Sequence, residues 1–312
     1  MSIAVLFPGQ GVQKKGMGKW LYDNFLVSKQ TFEEASDCLG MDVAKLCFEE
    51  EEKLSQVDIT QPIILTVSIA AVRALEEEKG IKFNYGAGPS LGEYSALTAA
   101  GALEFSDALK IVSFRGKFMH EAVKENKGAM CAINGSDPET VAQIVRKLQK
   151  DNLQVEISNY NSLHQTVVAG LKEDVAKLEE IAKEKNISTT RLKVNAPFHS
   201  SLMKPVKEKM KEVLKDIQIH SLSYPVISNV TGVPYYDTNH MKEALIEQIT
   251  RPVEWTKSMS FLYEAGVDQV IDVGPGEVVK NLMIRNYRDI NSLSVLKDWE
   301  RIGITAARKG EK

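Results

Sequence analysis

Gly86-Ala87-Gly88-Pro89-Ser90-Leu91-Gly92-Glu93 decides how the fold is read. Within it a Gly-x-Ser-x-Gly pentapeptide, 88–92, stands between a short strand-like segment and a small-residue helix over 94–102. In that setting the pattern predicts a nucleophile elbow. Glycines two places either side of the serine let neighbouring backbones crowd a sharp turn, which holds the hydroxyl clear of the sheet at the positive end of the next helix. The competing reading is a serine that merely caps a helix in a glycine-rich turn, since serine is a favoured N-cap. Either way, strand, turn and helix open an α/β unit.

Upstream, residues 3–7 form an apolar strand that stops at Pro8-Gly9-Gln10-Gly11, and amphipathic helical sequence follows. Gln61-Pro62 opens a helix whose apolar positions, 63–72, wrap most of the way round, as in a buried helix. Downstream, a helix over 106–121 is predicted, with Ser106 as its cap and Asp107 in its first turn. From Gly128 the pattern becomes strand 129–134, helix 137–150, strand 155–159, strand 166–169, helix 171–185 and strand 189–194. That order, βαββαβ, is the ferredoxin-like unit. A helix from Lys204, a strand at 225–228, helices at 240–248 and 256–265 and a strand at 269–273 follow. Strands separated by helices imply a mainly parallel sheet covered on both faces. The predicted fold class is therefore α/β, with a ferredoxin-like subdomain over 127–196 inserted between 1–126 and 197–312. The tail after Arg308 is expected to fray.

Composition narrows the function. Of 312 residues, 43% are hydrophobic and 26% charged, which excludes a disordered or fibrous chain. At this length folding hides roughly 75% of the unfolded chain's surface, so no metal or disulfide staple is needed. The balance of 39 basic and 42 acidic residues is too even for nucleic acid as a bulk partner. Cys38, Cys47 and Cys131 are odd in number and lack CxxC spacing, which argues against a disulfide framework or a zinc site and for a reducing, cytoplasmic setting. No stretch reads as a membrane span of ~20 apolar residues. The opening residues read as a strand entering a glycine turn and not as a leader, so the sequons at Asn186 and Asn229 are taken as accidental.

A serine nucleophile needs a base, and five histidines are available. His120, His220 and His240 lie in polar helix ends or polar runs and read as solvated. Two remain: His164 in an Asn-rich loop, and His199 in Asn195-Ala196-Pro197-Phe198-His199-Ser200-Ser201, where the chain re-enters the larger domain. Position alone does not choose between them.

A wider set of motifs does. Phe7-Pro8-Gly9-Gln10-Gly11, the Ser90 elbow continuing through Glu93-Tyr94-Ser95-Ala96-Leu97, Arg115-Gly116-Lys117-Phe118-Met119, Ala196-Pro197-Phe198-His199-Ser200, Ser228-Asn229-Val230-Thr231-Gly232 and Val273-Gly274-Pro275-Gly276 occur in this order. Together they resemble the malonyl-CoA:acyl-carrier-protein transacylases, over residues 7–276. The resemblance implies an α/β-hydrolase-like domain with the ferredoxin-like insert. It makes Ser90 the nucleophile and His199 its base, and it gives the oxyanion hole to the backbone N–H groups of Gln10 and Leu91. Arg115 would hold the free carboxylate of malonyl, and the backbone carbonyl of Gln248 would orient the histidine in place of a third acid. One position departs from the pattern: Pro89 stands where the family usually has histidine, which removes a polar ring beside the serine and puts acyl selectivity in question.

The activity so implied is a ping-pong transfer of malonyl from malonyl-CoA, through a malonyl-serine, to the phosphopantetheine thiol of an acyl carrier protein. CoA thioester and carrier are substrates, and neither a permanently bound cofactor nor a metal is implied. A basic patch including Lys280, Arg285 and Arg288 is the candidate for steering an acidic carrier. The alternatives are a transferase for a modified malonyl unit or a carrier-thioester hydrolase in a polyketide pathway, and a non-catalytic docking protein with a degenerate elbow.

Overall fold

The computed structural model describes residues 1–124 and 127–303. The predicted fraying beyond Arg308, and the junction at 126, lie outside the described residues. The chain opens with β1 (Ile3–Leu6), then α1 (Lys19–Asn24), α2 (Leu26–Leu39), α3 (Val43–Glu49) and the long α4 (Val57–Lys79). β2 (Tyr85–Ala87) turns at Ser90 into α5 (Leu91–Ala99), and α6 (Phe105–Lys124) follows. Next come β3 (Gly128–Asn134), α7 (Pro138–Lys150), β4 (Val155–Ser162), β5 (Gln165–Leu171), α8 (Lys172–Glu184) and β6 (Ser188–Arg191). The chain then returns through α9 (Lys204–Lys215), α10 (Thr238–Glu247), α11 (Trp255–Glu264), β7 (Gln269–Asp272), α12 (Val278–Asn286), β8 (Asn291–Ser294) and α13 (Val295–Asp298).

Two sheets result. The first, in order β2-β1-β7-β8, is parallel throughout, with Val5 opposite both Gly86 and Ile271. Its apolar strands are buried on both faces: Val5 and Ile271 join one core cluster, while Ala4, Leu6 and Val270 join a second one beneath α11 and α12. The second sheet, β4-β5-β3-β6, is antiparallel throughout. It packs α7 and α8 over its own core of Ile133, Ile144, Val168 and Leu178. Both α7 and α8 are amphipathic; Asp137 caps the first by accepting from the Thr140 N–H.

Several expected elements shift. α4 begins at Val57, so Pro62 lies inside it and not at its first turn. There it has no N–H to give the carbonyl four residues back, that of Asp58, in the first turn of the helix. α4 is also long and apolar enough to cross a membrane, contrary to the sequence reading, but 83% of its apolar window is buried inside the fold, as in a core helix. α6 starts one residue before Ser106, which therefore does not cap it. The strand expected at 225–228 is reduced to two isolated bridges, Val226 with Gly86 and Ile227 with Pro234. Pro225 has no N–H to extend the ladder, and the chain turns away where Ser228 N–H bonds the Val233 carbonyl. β8 was not anticipated, because Asn-Ser-Leu-Ser shows little apolar pattern for an edge strand.

Candidate active site

The elbow forms because its glycines are where backbones meet. A Cβ on Gly88 would stand 2.6 Å from the Phe7 carbonyl oxygen, and one on Gly92 would overlap that same oxygen. Between them Ser90 adopts φ 56° and ψ −108°, left of the usual range for a residue with a side chain. Such a conformation costs on the order of 1–3 kcal/mol and persists only when its surroundings fix it. Asn229 does so on both sides: its Oδ1 accepts from Ser90 N–H at 2.5 Å and its Nδ2 donates to the Gly88 carbonyl at 2.8 Å. Pro89 sits in the turn itself, its carbonyl accepting from Gly92 N–H at 2.9 Å.

His199 also has positive φ, 58°, in the loop that leaves the second sheet. Its Nε2 lies 2.8 Å from Ser90 Oγ and its Nδ1 2.8 Å from the Gln248 carbonyl oxygen. A carbonyl only accepts, so Nδ1 carries the hydrogen and Nε2 presents a lone pair to the serine hydroxyl. That carbonyl caps the C-terminus of α10, the negative end of a helix. Burial, with the Arg115 cation nearby, pushes the imidazole pKa down to about 4, so it is neutral near pH 7. His164, by contrast, sits in the exposed turn between β4 and β5, and the site does not include it.

Arg115 arrives because Gly116 lets α6 touch α4: a Cβ there would lie 2.6 Å from the Val57 carbonyl oxygen. Arg115 Nη1 then donates to Gln61 Oε1 at 2.8 Å, while Nη2 donates to Ser90 Oγ at 2.9 Å and Gln248 Oε1 at 3.1 Å. Its guanidinium stands over the Tyr94 ring, 5.3 Å from the centroid. Only 1% of the residue is exposed, and burial lowers its pKa. Among the described residues all these hydrogen-bond partners are neutral, and Nε has none. A desolvated guanidinium so placed is a ready receptor for a carboxylate.

The oxyanion candidates come from the two chain segments that pack together at the elbow. Leu91 is the first residue of α5, and Gln10 follows Gly9, where a Cβ would come within 2.9 Å of the Pro89 carbonyl oxygen. Among the described residues neither Gln10 N–H nor Leu91 N–H has a protein acceptor. A free donor at the helix N-terminus next to the serine, and a second on the loop packed against Pro89, suit a developing alkoxide.

The sequence reading missed four polar contributors. Asn229 figures in the sequence only as part of a motif and as an accidental sequon, and Gln61 only as the start of a helix. The side chain of Gln248 is overlooked beside its carbonyl, and Glu93 figures only as part of the elbow motif. The proposed docking patch also needs correction, because Lys280 Nζ is spent on Glu277 (2.8 Å) and Asp298 (3.3 Å) and only Arg285 and Arg288 are exposed. Among the described residues no group of three His, Cys, Asp or Glu could hold a metal ion.

Known proteins share this architecture. The acyl transferase domain family matches residues 5–305. A malonyl CoA-acyl carrier protein transacylase of Bacillus subtilis is 42% identical over 295 residues, 94% of this chain and 93% of that protein. One from Staphylococcus aureus is 36% identical over 95% of this chain and 97% of its own length. Among solved structures, the malonyl CoA-acyl carrier protein transacylase from Clostridium perfringens superposes with TM-score 0.94 at 38% identity, covering 100% of this chain and 98% of that one. A malonyl-transacylase solved in complex with its type II polyketide acyl-carrier protein gives TM-score 0.91 at 37% identity, covering 95% and 96%.

Proposed function

Because the chain belongs to the malonyl-CoA:acyl-carrier-protein transacylases of the acyl transferase family, we propose that Ser90, His199 and Arg115 are the residues with which it moves malonyl from CoA to a carrier. The chain is an acyltransferase. Its donor is malonyl-CoA and its acceptor is the phosphopantetheine thiol of an acyl carrier protein.

In the first half-reaction His199 Nε2 takes the Ser90 proton as Oγ attacks the thioester carbonyl. The oxygen of the tetrahedral adduct receives the N–H groups of Leu91 and Gln10. Collapse breaks the C–S bond, His199 returns its proton to the CoA sulfur, and malonyl remains as a serine ester. In the second half the carrier thiol gives its proton to His199 and attacks the ester, and Ser90 leaves with the proton restored. Arg115 meanwhile turns from its neutral partners to the free carboxylate of malonyl. The observation that carries this reading is the chain of contacts Gln248 carbonyl, His199, Ser90, Arg115, a base and an anion receptor on one hydroxyl.

A hydrolase of uncharged carrier-bound chains gains nothing from a guanidinium buried against its nucleophile, so transfer is preferred to hydrolysis. No cofactor stays bound in this scheme, the setting is cytoplasmic, and residues 127–196 form the ferredoxin-like subdomain inserted into the catalytic domain. The test is to isolate the malonyl-enzyme free of CoA and add carrier with or without its phosphopantetheine arm. Malonyl should pass to the armed carrier only; loss to water at the same rate with both would refute the transfer.

A further inference from the structure

Glu93 is a buried carboxylate to which the reaction above gives no task. It lies one turn into α5 after Ser90, with no exposed surface. Its Oε1 accepts from Asn229 N–H at 2.7 Å and from the Tyr235 hydroxyl at 2.6 Å, and its Oε2 accepts from Gln248 Nε2 at 2.5 Å. All three partners donate, which favours an acceptor-only, ionised carboxylate against the burial that pushes its pKa up to about 7.

The Gln248 amide makes this more than a buried anchor. Its Nε2 serves Glu93 and, at 2.9 Å, the Ser90 carbonyl, while its Oε1 accepts from Arg115 Nη2 at 3.1 Å. An amide has one donor end and one acceptor end. With Nε2 claimed twice, only Oε1 can face the guanidinium; a flip would set donor against donor at Arg115 and oxygen against oxygen at Glu93. On the reading of Arg115 as the seat of the malonyl carboxylate, we propose that Glu93 is a positioning residue for acyl selection, fixing through the Gln248 amide the acceptor that aims Arg115. The arrangement also supplies a counter-charge to Arg115 across one intervening amide, so malonyl need not break a direct ion pair on entering. The base is held separately, since His199 bonds the Gln248 backbone carbonyl and Gln248 N–H is pinned to the Ala244 carbonyl at 2.8 Å; Ser90, although its carbonyl shares the amide, keeps the Asn229 side chain on its own N–H and on the Gly88 carbonyl.

Glu93→Gln tests this, because it puts an NH2 where one carboxylate oxygen stood and forces a donor onto a donor. Three single-turnover rates are compared on the full chain: acylation by malonyl-CoA, acylation by acetyl-CoA, and labelling of Ser90 by a fluorophosphonate. The malonyl-over-acetyl ratio should fall at least about 10-fold, the scale of one charged hydrogen bond, with labelling within about threefold of wild type. In a Gln248→Met background, which keeps the backbone carbonyl, Glu93→Gln should change the ratio no further. An unchanged ratio, equal slowing of all three rates, or an additive loss in the Gln248→Met background would overturn the proposal. If Glu93→Gln alone does not fold, the double variant, which lacks the clash, is compared with Gln248→Met; failure to fold there too would make Glu93 structural and overturn it as well. Absence of malonyl from Ser90 in the wild type would instead refute the reading of the site itself.

Discussion

Replacing Arg115 with methionine keeps the length and apolar stem of the side chain and removes only its charge and donors. The magnitude follows from burial. A charged hydrogen-bonded pair in an accessible place is worth roughly 1.5–3 kcal/mol, but Arg115 is 1% exposed and its partners are neutral amides and a hydroxyl. Malonyl's carboxylate would thus enter this site shed of water and meet nothing. Leaving one member of a buried pair unpaired costs about 3–5 kcal/mol, so kcat/KM for malonyl-CoA should fall roughly 100- to 1,000-fold or more. Acetyl-CoA has no second carboxylate, and its kcat/KM should change by no more than about fivefold. The assay is acylation of the enzyme by each thioester under limiting substrate, with circular dichroism to show the variant is folded. Equal losses for both substrates would refute the receptor role and leave Arg115 as a brace between Gln61, Ser90 and Gln248.

His199→Ala should slow acylation by roughly 100-fold or more, the usual cost of a lost general base, while His164→Ala, in an exposed hairpin turn, should leave the single-turnover rate unchanged. The pH profile follows from the depressed pKa of His199, about 4. The free base exists above that value and is lost below it, so fluorophosphonate labelling of Ser90 should stay flat from about pH 8 to 5.5, whereas an ordinary histidine would halve the rate near pH 6.5. A midpoint near 6.5 would contradict the buried, neutral imidazole.

The parts of this protein written in local pattern were legible in its sequence. The alternating βαββαβ order predicts an antiparallel four-stranded sheet, and the register of β3 against β5 and β6 matches it. Gly88 and Gly92 announce a close approach that the Phe7 carbonyl makes necessary. What local pattern could not carry was polar architecture joined across long separations. Asn229 fixes Ser90 from 139 residues away, and Glu93 meets Gln248 from 155. Nothing in the neighbours of either residue marks it as buried and paired. The choice of His199 over His164 likewise came from a motif and not from periodicity, because both lie in loops. Lys280 drops out of the basic patch for a related reason: a lysine's charge is visible in sequence, but the Glu277 and Asp298 that neutralise it are placed by the fold.

In the proposed mechanism one serine stores the acyl group between the two half-reactions. Mixing the protein with malonyl-CoA alone, then weighing the intact chain and mapping its peptides, tests it directly. A single malonyl group is expected on Ser90, absent from Ser90→Ala; a label on another residue, or one that persists in that variant, would refute the role given to Ser90.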